Sequence, residues 1–265
     1  MPELAELRLT ADYINESAKD RIFTNIIKNP VHKGADIKPP FTDFYITAES
    51  RGKEIILTLY EKHTKEKRCL LMTMGMSGHF KFSRTGSEPK HSHLMFHTDN
   101  GFTLSFVDVR RFGKWKWVNG WSSNRGPDPT KEFTEFCKHI YDAGFTNSVF
   151  NQPIHLVLMN QKYFNGIGNY LRAEILYRTN VHPMTQAKSA ILKSPEILDL
   201  CRDIPLQAYA LGGGQLKDWE NPFSNDPEPF RQFIRCYGNP KMSRIRDKNG
   251  RMFWYDPKWD SENPF

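Results

Sequence analysis

The sequence predicts an α+β chain: an N-terminal helix, a run of short strands forming a β-sandwich or barrel, and a helical second half. Two observations carry this. From about residue 42 to 118 the apolar side chains recur with a period of two, broken repeatedly by turn residues. After the polar, proline-rich stretch 122–130 the period becomes helical.

Each element has its own warrant. Residues 3–19 read as a helix because Leu7, Ala11, Ile14 and Ala18 share one face. Segments 54–60 (EIILTLY) and 68–74 (RCLLMTM) are strand-like, 93–97 adds a short strand, and Phe102, Leu104 and Phe106 alternate with Thr103 and Ser105. Gly75, Gly78, the segment 83–89 and Asn100-Gly101 supply the turns. Further on, Ile154, Val157 and Leu158 share a helical face, Asn165-Gly166-Ile167-Gly168-Asn169 breaks that helix, and 170–178 starts another. Segment 191–211 is helical in outline, with interruptions expected at Pro195 and Pro205. Gly212-Gly213-Gly214 opens a flexible loop running to about residue 229, and a hairpin signal follows at Lys248-Asn249-Gly250.

Length and composition bound the function. At 265 residues, one or two domains are expected, with 38% hydrophobic residues available for their cores. Net charge is +7 and the isoelectric point about 9.1, which favours a polyanionic partner. Residues 231–254 hold seven Lys/Arg against one acid, Asp247, and so account for +6 of that total. No uncharged apolar run approaches the ~20 residues of a membrane span, and Met1-Pro2-Glu3-Leu4 does not begin a secretory signal. Cys69, Cys137, Cys201 and Cys236 stand far apart, which argues against a cysteine zinc site and for thiols in a reducing, intracellular setting.

Four features carry chemistry. Removal of Met1 before the small Pro2 leaves a secondary amine, and α-amino groups titrate near 7.7–8.0. Such an amine attacks an aldehyde-like carbon to give an iminium, with Glu3 beside it to move protons, although proline is also simply welcome in a first helical turn. The glycines of 165–169 allow close approach to a ligand at the start of a helix, or form an ordinary helix–turn–helix corner. Asp108-Val109-Arg110-Arg111-Phe112-Gly113 and Gly75-Met76-Ser77-Gly78 each follow a strand, where a loop projects a bulky apolar residue, a known device for unstacking a duplex, although Met76 and Phe112 taken alone are more often core or turn residues. Finally, Arg235, Arg244, Arg246 and Arg251 interleave with Tyr237, Phe253 and Trp254, which fits either a phosphate-contacting ribbon or a solvated basic hairpin.

These residues together resemble the formamidopyrimidine-DNA glycosylase/endonuclease VIII family, and most closely its Nei-like branch with a zincless finger. The motifs run in the family's order across nearly the whole chain: Pro2-Glu3 with Glu6, Arg51-Gly52-Lys53, residues 75–78, 107–113 and 165–174, and Arg235-Cys236-Tyr237-Gly238 through Gly250-Arg251. The resemblance implies a β-sandwich domain at 1–121 with its N-terminal helix, a helix–two-turn–helix domain with a lesion-recognition loop at 122–229, and a zincless β-hairpin finger at 230–265. It implies a bifunctional DNA glycosylase/abasic-site lyase of base excision repair. Pro2 is the nucleophile, Glu3 the proton-transfer group, and Lys53 a phosphate contact that assists base release. Asn169 and Arg251 grip phosphates. Met76, Arg110 and Phe112 fill the void left by a flipped base, with Arg110 facing the orphaned partner.

Expected partners and setting follow from the same source: damaged DNA, no cofactor, no metal, no membrane, a monomer, and a location with DNA inside the cell. Two positions depart from the family's pattern. Ala5 replaces a common proline, and Gly214 stands where close relatives usually carry a basic residue in the loop that touches the extruded base. The chain also ends at Phe265 without the long basic tail of some relatives. The competing readings are a lyase acting only at existing abasic sites, and a non-catalytic damaged-DNA-binding protein.

Overall fold

The computed structural model describes residues 2–214, 221–224 and 226–261. These divide into two compact units: residues 1–122 with 212–227, and residues 123–211 with 228–265. The glycine run groups with the N-terminal unit, and the finger groups with the helices.

In the first unit, α1 (Leu4–Ala18) precedes eight antiparallel strands: β1 (Phe23–Lys28), β2 (Phe44–Arg51), β3 (Glu54–Glu61), β4 (Lys67–Thr73), β5 (His79–Arg84), β6 (Ser92–Thr98), β7 (Phe102–Val107) and β8 (Lys114–Val118). Their order is β5-β7-β6-β1-β2-β3-β4-β8. The join between β1 and β2 is a single residue pair, Phe23 with Phe44. Four strands lie on either side of that join, and both halves turn their apolar residues into one core: Phe23, Phe80, Phe96 and Phe106 from one, Phe44, Leu57, Leu70 and Trp115 from the other. The result is a β-sandwich. Helix α1 explains why the join is so short. The Asn15 side chain accepts from Ala48 N–H at 2.7 Å and donates to Ala48 O at 2.9 Å, occupying β2 backbone groups that another strand would otherwise take.

Strands β1, β2, β5 and β8 are not singled out in the sequence, and of these only β1 lies outside the stretch with a period of two. Strand β1 reads FTNIIK, with two exposed residues in succession, so it lacks the alternation that marks the others.

The second unit contains α2 (Phe133–Thr146), a 3₁₀ turn, the single-turn α3 (Ile154–Val157), α4 (Asn169–Arg178), α5 (Ala187–Lys193), α6 (Glu196–Ala210) and α7 (Glu228–Phe233), then the hairpin of β9 (Ser243–Arg246) and β10 (Met252–Tyr255). Pro195 marks a break between α5 and α6, as expected. Pro205 does not interrupt: it lies inside α6 on the buried face with Cys201, Ile204 and Ala208, where burial offsets the lost hydrogen bond. Helix α7 occupies the end of the segment expected to be a loop; residues 215–220 of that segment lie outside the described residues. No helix among the described residues is long and apolar enough to cross a membrane.

Candidate active site

The candidate residues fall into three groups. The first is at the start of α1. Glu3 is its N-cap, with extended backbone. Glu6, at the third helical position, reaches back so that its Oε2 accepts the Glu3 N–H at 2.8 Å. Its Oε1 accepts the N–H of Gly214 at 2.8 Å, a residue 208 positions away. Pro2 is buried, as are Glu3 and Glu6 at 2% and 0% exposure. Burial pushes the Glu6 carboxyl above its ordinary value; the Gly214 hydrogen bond opposes this, and the neighbouring Glu3 adds to it. Ala5 is fully buried in the same turn.

The glycine run is what lets the chain return to this carboxylate. Gly212 and Gly213 have φ of 85° and 68°, and a Cβ on Gly212 would stand 2.5 Å from Asn221 Nδ2. Gly214 is buried and spends its N–H on Glu6, so at this position the backbone reaches the carboxylate at the start of α1. Lys53 is half-buried in the two-residue turn between β2 and β3, where Arg51 pairs with Glu54 and Gly52 has a φ of 57°.

The second group is a pair of interlocked loops organised by one buried aspartate. Asp108 is 0% exposed. Its Oδ1 accepts from Ser77 Oγ at 2.5 Å and from Arg110 N–H at 3.2 Å, and its Oδ2 accepts from Gly113 N–H at 2.7 Å. Ser77 Oγ in turn accepts the same Arg110 N–H at 3.1 Å. Gly75, with a φ of 60°, packs so closely that a Cβ would meet Phe112 backbone at 2.7 Å. This lock presents Met76 half-buried, Arg110 exposed, and Phe112 at 53% exposure beside Val109 at 57%. The Arg110 guanidinium lies 5.1 Å from the Phe112 ring centroid. An exposed phenylalanine held on so rigid a base is unexplained by packing within this unit.

The third group lies in the second unit. Asn169 opens α4, and its Nδ2 donates to Met252 O at 2.7 Å, one residue beyond Arg251. Its Oδ1 accepts from Arg172 Nη2 at 2.7 Å and Nε at 3.1 Å. Arg172, 0% exposed, also donates to His155 O and pairs with Asp247 in the hairpin turn at 2.9 Å. Burial alone would push the Asp247 carboxyl up, but the Arg251 N–H, Arg172 and the Asn249 N–H outweigh it and hold it below the usual range. Two positions on in α4, buried Glu174 accepts three consecutive N–H groups, those of Arg235, Cys236 and Tyr237, the shortest at 2.8 Å. Phe253 stacks on His155 at 5.3 Å, and Tyr237 lies 4.5 Å from Trp254. Burial pushes the Cys236 thiol up to about 12, with Glu174 adding to it, so it is an inert core group. Arg251 itself is exposed on the hairpin.

The structure thus joins Glu3, Glu6 and Gly214; joins Met76, Arg110 and Phe112 through Asp108; and joins Asn169 to the hairpin that carries Arg251. The sequence reading gave no role to Asp108, Arg172, Glu174 or Asp247. A signal was available for Asp108, Arg172 and Glu174, each a charged residue between apolar neighbours, because a buried charge requires a partner; Asp247, between Arg246 and Lys248, offers no such signal.

Three family models match in succession. The formamidopyrimidine-DNA glycosylase N-terminal domain matches residues 1–115, its H2TH domain residues 125–212, and the Endonuclease VIII-like 1 DNA-binding model residues 226–258. Endonuclease 8-like 1 of Homo sapiens is 33% identical over 96% of this chain and 72% of its own length. A formamidopyrimidine-DNA glycosylase of Legionella pneumophila is 29% identical over 91% of this chain and 89% of its own. Among solved structures, the MutM (Fpg) protein of Thermus thermophilus superposes with a TM-score of 0.78 at 21% identity, covering 99% of this chain and 100% of that one. A Lactococcus lactis FPG variant in complex with Fapy-dG containing DNA gives 0.79 at 22% identity, covering 97% and 99%. On this agreement of motif order, fold and sequence, the chain belongs to the formamidopyrimidine-DNA glycosylase/endonuclease VIII family.

Proposed function

We propose that this chain is a bifunctional DNA glycosylase and abasic-site lyase of base excision repair, acting on oxidised, mostly pyrimidine-derived bases in damaged DNA. The observation that carries the mechanism is Pro2, buried at the start of α1 beside the carboxylates of Glu3 and Glu6. With Met1 removed, its nitrogen is a secondary amine. The nitrogen lone pair bonds to C1′ of the flipped nucleotide as the glycosidic bond breaks, and the base leaves with the proton that the Pro2 nitrogen gives up. Glu3 delivers a proton to the sugar oxygen as the ring opens, which leaves an iminium at C1′. That electron sink permits loss of a neighbouring proton and expulsion of the 3′ phosphate, and a second elimination then expels the 5′ phosphate.

The remaining candidates divide the work of recognition. Lys53 meets backbone phosphate near the lesion and assists base release. Asn169, at the start of α4, holds a phosphate, with one of its two amide hydrogens engaged by Met252 O and the other available to it. Arg251 adds a cation from the hairpin. Met76, Arg110 and Phe112 occupy the void, with Arg110 against the orphaned base. The protein works where the DNA is, in the nucleus of a eukaryote or the nucleoid of a bacterium.

Gly214 supports a second reading, lyase activity alone, because it offers no side chain to an extruded base. Borohydride trapping on two duplexes separates these readings, one carrying an abasic site and one an oxidised pyrimidine such as thymine glycol or a hydantoin. Adducts on both are expected; an adduct on the abasic duplex alone establishes the lyase reading, and none on either, with binding intact, leaves a DNA-binding protein.

A further inference from the structure

Beneath the Asp108 loop lies a pair of buried histidines that the mechanism above does not use. His93, on β6, is 1% exposed and His32 is 4% exposed. Their ring centroids are 4.9 Å apart, and His32 stacks on Trp115 at 4.4 Å. The hydrogen-bond partners fix one proton on each ring. His32 Nδ1 accepts the Gly34 N–H at 2.9 Å, so its proton sits on Nε2. His93 Nε2 lies 3.0 Å from the carbonyl oxygen of Asp108 and must donate to it, so its Nδ1 is bare. Neither His32 Nε2 nor His93 Nδ1 has a hydrogen-bond partner among the described residues.

A second proton on either ring would be poorly tolerated. Lys28, Arg111, His91 and the other histidine are the positive or titratable groups around them, with Asp108 as the opposing charge. Burial is the main reason both rings are held below the ordinary histidine range, which keeps them neutral under working conditions. The neutral His93 donor matters because of what it holds. The Asp108 backbone is tied at both ends, its N–H to His91 O at 3.0 Å and its carbonyl to His93 at 3.0 Å, with the Arg111 N–H as a second, longer donor at 3.2 Å. With the main chain so fixed, the carboxylate is aimed at Ser77, Arg110 and Gly113.

We propose that His93, braced by His32 and Trp115, is a positioning residue for the void-filling turn: its Nε2–H sets the Asp108 main chain, and Asp108 then sets Arg110 and Phe112. This rests on the reading that Arg110, Phe112 and Met76 enter the duplex. It predicts a defect confined to substrates in which a void must be filled. A single-stranded oligonucleotide with an abasic site offers a sugar for Pro2 but no opposite strand to hold apart.

The test compares the whole protein with His93→Gln and His93→Asn on two substrates, a duplex containing an oxidised pyrimidine and a single-stranded abasic oligonucleotide. Glutamine can place a donor near the Nε2 position, and asparagine cannot. His93→Asn should lose up to about ten-fold in kcat/KM on the duplex, the scale of one hydrogen bond lost from a buried carbonyl that keeps only its Arg111 N–H donor, with single-strand cleavage unchanged. His93→Gln should recover most of the loss. Quenching of 2-aminopurine opposite a tetrahydrofuran site should change in the same order, independently of turnover. Equal losses on both substrates, or no loss with asparagine, would overturn the proposal. Failure of the parent protein to trap single-stranded abasic DNA would instead count against the Pro2 reading.

Discussion

Glu6 shows how much a single carboxylate decides. It holds the start of α1 with one oxygen and the end of the glycine run with the other. Glutamine keeps the shape but offers an amide N–H where one of two donors now points, so Glu6→Gln should destabilise the protein by about 1–3 kcal/mol. Its raised native pKa has a definite sign. The contribution is fully present below the ordinary value of 4.5 and is lost as pH rises through the raised one. Thermal melts across that range should therefore show the parent losing ground to Glu6→Gln as pH increases; parallel profiles would contradict the assignment. Pro2, Glu3 and Glu6 were legible as a motif because they are adjacent in sequence. The contact with Gly214 was not, since nothing local to the glycine run says which carboxylate will accept its N–H.

At the scale of the element, the hairpin finger is the instructive case. Its turn was legible from Lys248-Asn249-Gly250 and its strands from the arginines and aromatics that flank it, yet what fastens it to α4 was not. Two charged residues of that helix do so, Arg172 through Asp247 and Glu174 through three successive backbone N–H groups. These are long-range pairings, whereas periodicity reports only which side of a helix is buried. Asp247→Ala leaves the Arg172 charge buried without its partner and should cost about 3–5 kcal/mol, with DNA affinity falling as the turn loosens. Because Asp247 is held below its ordinary 3.8, its contribution is present above that value and lost as pH falls through the depressed one, so acid should loosen the finger only below about pH 4. Affinity measured with and without a strong chelator should be identical, and a chelator-dependent loss would mean the fastening is incomplete. The same limit explains Pro205. Its residue type argues for a break, and only the buried surroundings of α6 show why there is none.

For the whole molecule, charge is the property that sequence conveys best. Most of the net +7 is concentrated in residues 231–254, the segment that folds onto α4 and carries Arg251. Arg251→Ala should weaken binding to all DNA sequences alike and reduce the slope of log affinity against log salt by about 0.9. An unchanged slope, measured by fluorescence anisotropy over a salt series, would remove Arg251 from the phosphate contacts. Overall class and the order of parts could be read from patterning and motifs. The single-pair join between β1 and β2 and the assignment of the glycine run to the first unit depend on contacts between distant residues, and emerge only in three dimensions.

The central claim is that the Pro2 nitrogen forms the covalent bond to DNA. The most direct test is to reduce the complex with an abasic oligonucleotide, digest the protein, and map the adduct by mass spectrometry. The account predicts a single modified peptide, the N-terminal one, with the sugar remnant on Pro2. An adduct on Lys53 or any other lysine would contradict it.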